Sequence, residues 1–276
     1  MNTRRNFFKL GAAGTLTALS AFDSRPLSDK KSTFKTGVAG YSFLHYQSNL
    51  DRIIEVMQAT GVTRMTLKNF QLPYDSTPES AAAVIGKLKS AGIEVYGLGV
   101  IYMKSTEEVD QTFRYAQNAK VPMIVGSPAY EVIPYVENKV KETGIRIAIH
   151  NHGPEDKLFP DIDTIYDRIK SLDERIGICL DIGHSFRCKH NPSEMLARYS
   201  NRVVDMHIKD VTEQKPDGIS TGIGRGIIDF TELIRTMNKI NYQGFCSLEY
   251  ERPGDPAIGI AESLGYFRGV QRALNA

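Results

Sequence analysis

Four stretches in the second half of the chain decide how it is read: Ile145–His150 (IRIAIH), Ile176–Asp181 (IGICLD), Val203–Asp210 (VVDMHIKD) and Phe245–Glu251 (FCSLEYE). Each is a short, strand-like apolar run, and each carries a group able to ligate a metal toward its far end: His150, Asp181, His207 and Glu249. A loop and then a helical pattern follow each run, so the four groups fall at equivalent carboxyl ends of successive parallel strands. That is the rim on which a (β/α)₈ barrel carries its active site.

The same alternation extends outward in both directions. The first half reads as strand TGVAGYSF, a helix from Asn49 to Thr60, strand VTRMTLK ending at Lys68, and a helix from Pro78 to Ala91 with Gly92 just past its end. Strand IEVYGLGV, a helix from Thr106 to Ala119, strand VPMIVGS and a helix reaching Glu142, stopped by Gly144, complete four units. In the second half, helices fall at Asp163–Leu172, at Pro192–Tyr199, on the stripe Phe230, Leu233, Ile234 and Met237, and at Pro256–Leu274. Eight units, with no GxGxxG after the first strand, favour one closed (β/α)₈ barrel over residues 36–276 rather than an open sheet. The length of 276 residues is ordinary for such a barrel.

The first residues, TRRNFFKLGAAGTLTALSA, place an arginine pair ahead of two phenylalanines, a lysine and a small-residue-rich apolar stretch. That stretch is shorter than the ~20 residues of a membrane span. Thr3, Arg4, Arg5, Phe7, Phe8 and Lys9 resemble a twin-arginine export signal, which implies a periplasmic location. The expectation is a signal over 1–24 and a polar linker over 25–35. Cleavage fits after Ala21, although Leu19 is a poor −3 residue, and contact with a membrane is expected only through an uncleaved signal.

Hydrophobic residues make up 41% and charged residues 24% of the chain, a globular composition. Without Arg4, Arg5 and Lys9 the 34 basic residues fall to 31 against 32 acidic, a net charge of −1, so no basic face for nucleic acid is implied. Of the three cysteines, Cys179 shares the inward parity of Asp181, Cys246 opposes that of Glu249, and Cys188 sits in a loop, which argues against a disulfide framework. A homodimer is left open.

Alternation also groups the interior. His150 should share it with Ala148 and Arg146, and His207 with Asp205 and Val203, with Asp205 and Arg146 expected to pair one layer deeper. Two imidazoles and two carboxylates suit one divalent ion such as Mn²⁺, Co²⁺, Zn²⁺, Fe²⁺ or Ni²⁺ better than Mg²⁺ or Ca²⁺. His45 after the first strand and Lys68 after the second face the same rim as candidate substrate contacts. Arg187, Glu251 and Asp210 are placed as substrate contacts or as neighbours that orient the ligands. Arg225, in the turn Gly224–Gly226, reaches either the substrate or a salt bridge, while His190 and Glu155 read as solvated loop groups.

Three motifs carry a family resemblance: LDIGH (Asp181, His184), HIKD (His207, Lys209) and SLEYE (Glu249). From Lys35 onward the chain resembles the sugar phosphate isomerase/epimerase group with a xylose-isomerase-like TIM barrel, which includes ketose 3-epimerases and hydroxypyruvate isomerases. The resemblance implies a metal held from strands five to eight, with two glutamates exchanging protons with the substrate. The metal then polarises adjacent oxygens and stabilises an enediolate. By position Asp181, His207 and Glu249 inherit ligand roles, Glu249 a proton-transfer role as well, and His184 the gripping of a substrate oxygen; Lys209 is a substrate contact.

The fifth strand departs from this pattern, because IAIHNH has His150 where the family has glutamate. His150 can still ligate, and His152, of the same parity, can act as base or acid near neutral pH. The expectation is therefore an exported, metal-dependent isomerase or epimerase of a non-phosphorylated sugar or keto sugar. A lyase or hydratase on a 3-keto-glycoside is the alternative. A non-catalytic sugar-binding barrel using the aromatic residues Tyr41, Phe43, Tyr46 and Tyr102 is a further one, and the charge of −1 argues against a barrel endonuclease.

Overall fold

The structure is a computed structural model and describes residues 34–276. The export-signal reading and nearly all of the linker lie outside the described residues. The expected linker is shortened at its end: Phe34 packs edge-on against Phe267 with ring centroids 6.0 Å apart, and Lys35 already opens the first strand.

Eight parallel strands close a barrel: β1 (Lys35–Val38), β2 (Arg64–Leu67), β3 (Glu94–Met103), β4 (Met123–Pro128), β5 (Arg146–His150), β6 (Ile176–Asp181), β7 (Val203–Ile208) and β8 (Phe245–Leu248). Each neighbours the next in sequence, and β8 pairs with β1 from Lys35↔Phe245 to Val38↔Leu248. Helices α1 (Leu50–Thr60), α2 (Pro78–Ser90), α3 (Thr106–Ala119), α4 (Ile133–Thr143) and α5 (Ile162–Ile169) connect the first six strands. α6 (Ile182–Arg187) and α7 (Pro192–Arg198) follow β6, α8 (Phe230–Lys239) precedes β8, and α9 (Ala257–Leu274) ends the chain.

The helix starts are set by short polar side chains that accept otherwise orphaned N–H groups: Asn49, Thr77, Ser105, Asp161 and Asp229 each receive the backbone N–H three residues on. The α8 stripe Phe230, Leu233, Ile234 and Met237 is wholly buried against the barrel wall, as its spacing requires. Cys179 lies in the inner cluster with Tyr96, Val125 and Ala148, whereas Cys246 lies in the outer core between strands and helices. All three cysteines are free.

Two expectations about the interior fail. Arg146 is exposed at the start of β5, so it does not pair with Asp205. Asp205, fully buried, instead faces the Tyr96 hydroxyl at 3.4 Å, and that hydroxyl also bonds Ser247. Val203 belongs to the outer core, not the inner one. The cause is a bulge: Ile178 pairs with Val203 but Cys179 with Asp205, so Val204 is an extra residue that resets the alternation.

Candidate metal centre

His150 closes β5, Asp181 closes β6, His207 is the penultimate residue of β7, and Glu249 lies one past β8. Asp181 and His207 are direct register partners, and Ser247, two residues before Glu249, pairs with His207. Parallel strands in this register bring the four side chains to one level. All four are buried, and their ligand atoms lie within 4.8 Å of one another. His150 Nε2 is 3.1 Å from His207 Nδ1 and 3.4 Å from Asp181 Oδ2, and His207 Nδ1 is 3.3 Å from Glu249 Oε2.

These separations match those of ligands around one ion, since donors about 2.1 Å from a tetrahedral metal stand roughly 3.4 Å apart. Asp181 Oδ2 is buried without a hydrogen bond of good geometry and is faced by Lys209 Nζ at 2.9 Å and His150 Nε2 at 3.4 Å, a buried carboxylate oxygen in a place that selects a cation. Protonation states fit at three of the four positions; at His207 burial is outweighed by the Glu249 carboxylate, which raises the pKa, so an ion there would displace a proton. Burial drives the His150 pKa well below its ordinary value, with the His207 and His152 rings adding to the effect, so its lone pair is free. Burial alone would raise Asp181 and Glu249. His184 and Lys209 outweigh it at Asp181, and Lys209 and His207 outweigh it at Glu249, so both are held as carboxylates below the usual range.

Asn151, which sequence reasoning passed over, ties β5 to β6. Its side-chain oxygen accepts from the Asp181 N–H at 2.9 Å, and its amide donates to the Asp181 carbonyl at 3.2 Å. Being polar between two inward histidines was the only signal it gave. Asp181 in turn caps α6 by accepting the His184 N–H at 2.9 Å, so the same residue fixes the start of that short helix.

His184 borders the cluster, its Nε2 3.9 Å from Asp181 Oδ2. Its Nδ1 faces Arg187 Nη1 at 3.4 Å, and because a guanidinium can only donate, Nδ1 accepts and the proton resides on Nε2. The ring therefore offers a donor toward the centre. Burial lowers its pKa to about 4. Gly153, at φ 91°, lies so close that a Cβ there would stand 3.1 Å from His184 Nδ1.

His152 stands two residues farther out, its ring 4.5 Å from that of His150 and stacked on half-exposed Tyr102 at 5.1 Å. Its Nδ1 is 3.5 Å from Asp156 Oδ2, while Asp156 Oδ1 is fixed by the N–H groups of Leu158 and Phe159. Asp156 was also missed; the four-residue spacing His152–Asp156 could have suggested it. Burial lowers the His152 pKa.

The remaining expected contacts divide. Lys209, fully buried, sits inside the cluster with Nζ 2.9 Å from Asp181 Oδ2, 2.7 Å from Glu249 Oε2 and 2.8 Å from Glu251 Oε1. Lys68 donates to the Val100 carbonyl at 2.8 Å and lies 5.7 Å over the Tyr41 ring; burial lowers its pKa against the pull of Glu249. Arg187 bridges Glu155 and the Pro216 carbonyl, so Glu155 is paired rather than merely solvated. His190 stands 3.8 Å from Asp163.

Arg225 is turned away from the centre, its Nη2 2.7 Å from Glu262 of α9, which resolves its two readings as the salt bridge. Asp210 holds that loop, accepting the N–H groups of Val211, Gly224, Gly226 and Ile228 at 2.9–3.1 Å; it is a loop anchor, not a substrate contact. His45 is exposed on the turn after β1 and takes no part in the cluster. Phe43 is fully buried and so is not on the rim.

Comparisons with known proteins agree with this architecture. An inosose dehydratase of Clostridium perfringens is 30% identical over 135 residues, 43% of this chain and 44% of that protein; the chain thus matches under half the length of such curated relatives. Among solved structures, a zinc-bound IOLI protein has TM-score 0.71 at 15% identity, covering 87% of this chain and 99% of the other. The probable 3-DHS dehydratase AsbF of Bacillus anthracis has TM-score 0.69 at 13% identity, covering 85% and 99%. These two likenesses are of fold. A family model described as xylose isomerase-like TIM barrel matches residues 46–270, and with its closed eight-stranded parallel barrel the chain belongs to that family.

Proposed function

We propose that this protein is a metal-dependent lyase that eliminates a β-hydroxyl or β-alkoxyl group from a non-phosphorylated keto sugar or keto-cyclitol. His150 carries the reading. Where the resemblance gives a proton-transferring glutamate, this chain has an imidazole 3.1 Å from His207 and 3.4 Å from Asp181, committed to the ligand cluster. A reaction with one base then fits better than one that needs two carboxylates on opposite faces. The names of the dehydratase relatives point the same way.

A divalent ion held by His150, Asp181, His207 and Glu249 would polarise the ketone and acidify the neighbouring C–H bond. His152, with Asp156 beside its Nδ1, takes that proton on its other ring nitrogen, and the carboxylate favours the imidazolium that forms. The imidazolium returns the proton to the departing β-oxygen. The substrate C–H and C–OR thus become a C=C bond and a molecule of ROH, water where R is hydrogen. His184 holds a substrate oxygen through its Nε2–H, and Tyr102 offers a flat apolar face at the rim. The exported location remains part of this proposal through Thr3, Arg4, Arg5, Phe7, Phe8 and Lys9, and it favours free or keto sugars over sugar phosphates.

The test supplies keto-inositol and 3-keto-glucosides to metal-loaded protein and follows enone absorbance together with solvent deuterium exchange. Growth of enone absorbance is expected, with kcat lowered about 10²–10⁴-fold in His152→Asn at unchanged metal content. Deuterium entering recovered sugar without enone would establish the isomerase or epimerase that the motifs alone put first. Neither signal, with sugar bound, would leave a binding barrel.

A further inference from the structure

We propose that Lys209 is a tethered competitor for the metal, and that Glu251 is the carboxylate to which its ammonium withdraws when an ion enters. The inference rests on the metal-site reading above. Lys209 Nζ contacts Asp181 Oδ2 at 2.9 Å and Glu249 Oε2 at 2.7 Å, the same two oxygen atoms that face His150 and His207. An ammonium and a divalent ion sharing those oxygens would stand only about 3–4 Å apart with little water between them, where like charges repel strongly.

Charge and space support an exchange. Asp181, Glu249 and Glu251 against Lys209 leave two negative charges, which one divalent ion cancels. Without an ion, Lys209 is the cation that offsets the repulsion between two buried carboxylates. Its third partner, Glu251 Oε1 at 2.8 Å, belongs to a side chain that is 25% exposed, against 7% for Glu249 and 0% for Asp181, so it marks the way outward. The lysine stem runs over Gly183 of the LDIGH motif, where a Cβ would come within 2.5 Å of Lys209 Cγ. Only a glycine at this position lets the flexible four-carbon stem pass.

The test titrates Zn²⁺ and Mn²⁺ into metal-stripped full-length protein against a chromophoric chelator and records melting of each form. Lys209→Met and Lys209→Gln are compared with the unmodified chain; Gln keeps a hydrogen-bond donor without charge and serves if the Met variant does not fold. Both variants are expected to bind metal about tenfold tighter or more, to melt lower without metal, and to gain more in Tm on loading. Affinity unchanged or weakened in the variants would overturn the inference and make Lys209 a residue that orients the carboxylates. Failure of the unmodified chain to bind either metal would remove the metal reading itself, and this inference with it.

Discussion

His150 Nε2 and His207 Nδ1 face each other at 3.1 Å across the mouth of the barrel, with Asp181 Oδ2 3.4 Å from the first and Glu249 Oε2 3.3 Å from the second. Two imidazole nitrogens so close, each beside a buried carboxylate, share either one proton or one cation. The carboxylate pair favours the cation, and four expectations follow from the cluster and its surroundings.

His207→Ala is expected to abolish stoichiometric metal binding and turnover together. It leaves Glu249 without one of its buried charge partners. Metal analysis after gel filtration checks this; full activity in the variant would sink the proposed chemistry. Chelation of the unmodified protein should lower Tm as well as activity, because binding to the native state alone stabilises it by RT ln(1 + [L]/Kd).

Acid should destabilise the metal-free protein in a window set by His184. Its pKa falls from 6.5 in the unfolded chain to about 4 in the fold, so between those values the unfolded state binds more protons. The stability contribution is present above pH 6.5 and is lost as pH falls toward 4, about 3 kcal/mol in all. Denaturant melts of the unmodified chain and His184→Asn at pH 7 and pH 4.5 check it. The variant should show a shallower decline.

Gly153→Ala tests the support of His184. At φ 91° an alanine is strained by about 1 kcal/mol or more, and its Cβ would press on His184 Nδ1 from 3.1 Å. A modest drop in Tm and a larger drop in kcat are expected, with metal content unchanged. Equal activity would show that His184 is not held in place from this side.

Replacing Arg4 and Arg5 together by lysine tests the export proposal. Cell fractionation should find the unmodified protein in the periplasm and the variant retained in the cytoplasm. Retention of both would overturn the location and with it the argument against phosphorylated substrates.

Much of the barrel could be read directly. Helix ends were legible where a terminal glycine imposed them, as at Gly144 after α4, and the buried face of α8 was legible from the stripe Phe230, Leu233, Ile234 and Met237. The four positions of the cluster were legible because each lies at or next to the end of a strand and parallel strands end on one rim. α6 was not, because its start depends on Asp181 capping His184 while the same side chain joins the buried cluster from β6, a double role that periodicity does not register.

By itself, then, the sequence determined the alternation of strands and helices, the level at which His150, Asp181, His207 and Glu249 meet, and the departure at His150. Those are consequences of period and position along one strand. Only the tertiary structure decided that Arg146 leaves Asp205 to Tyr96, that Arg225 pairs with Glu262, and that Lys209 lies between three carboxylates. Each depends on which side chains from distant segments share a buried space, and on a one-residue bulge at Val204, neither of which is written in local pattern.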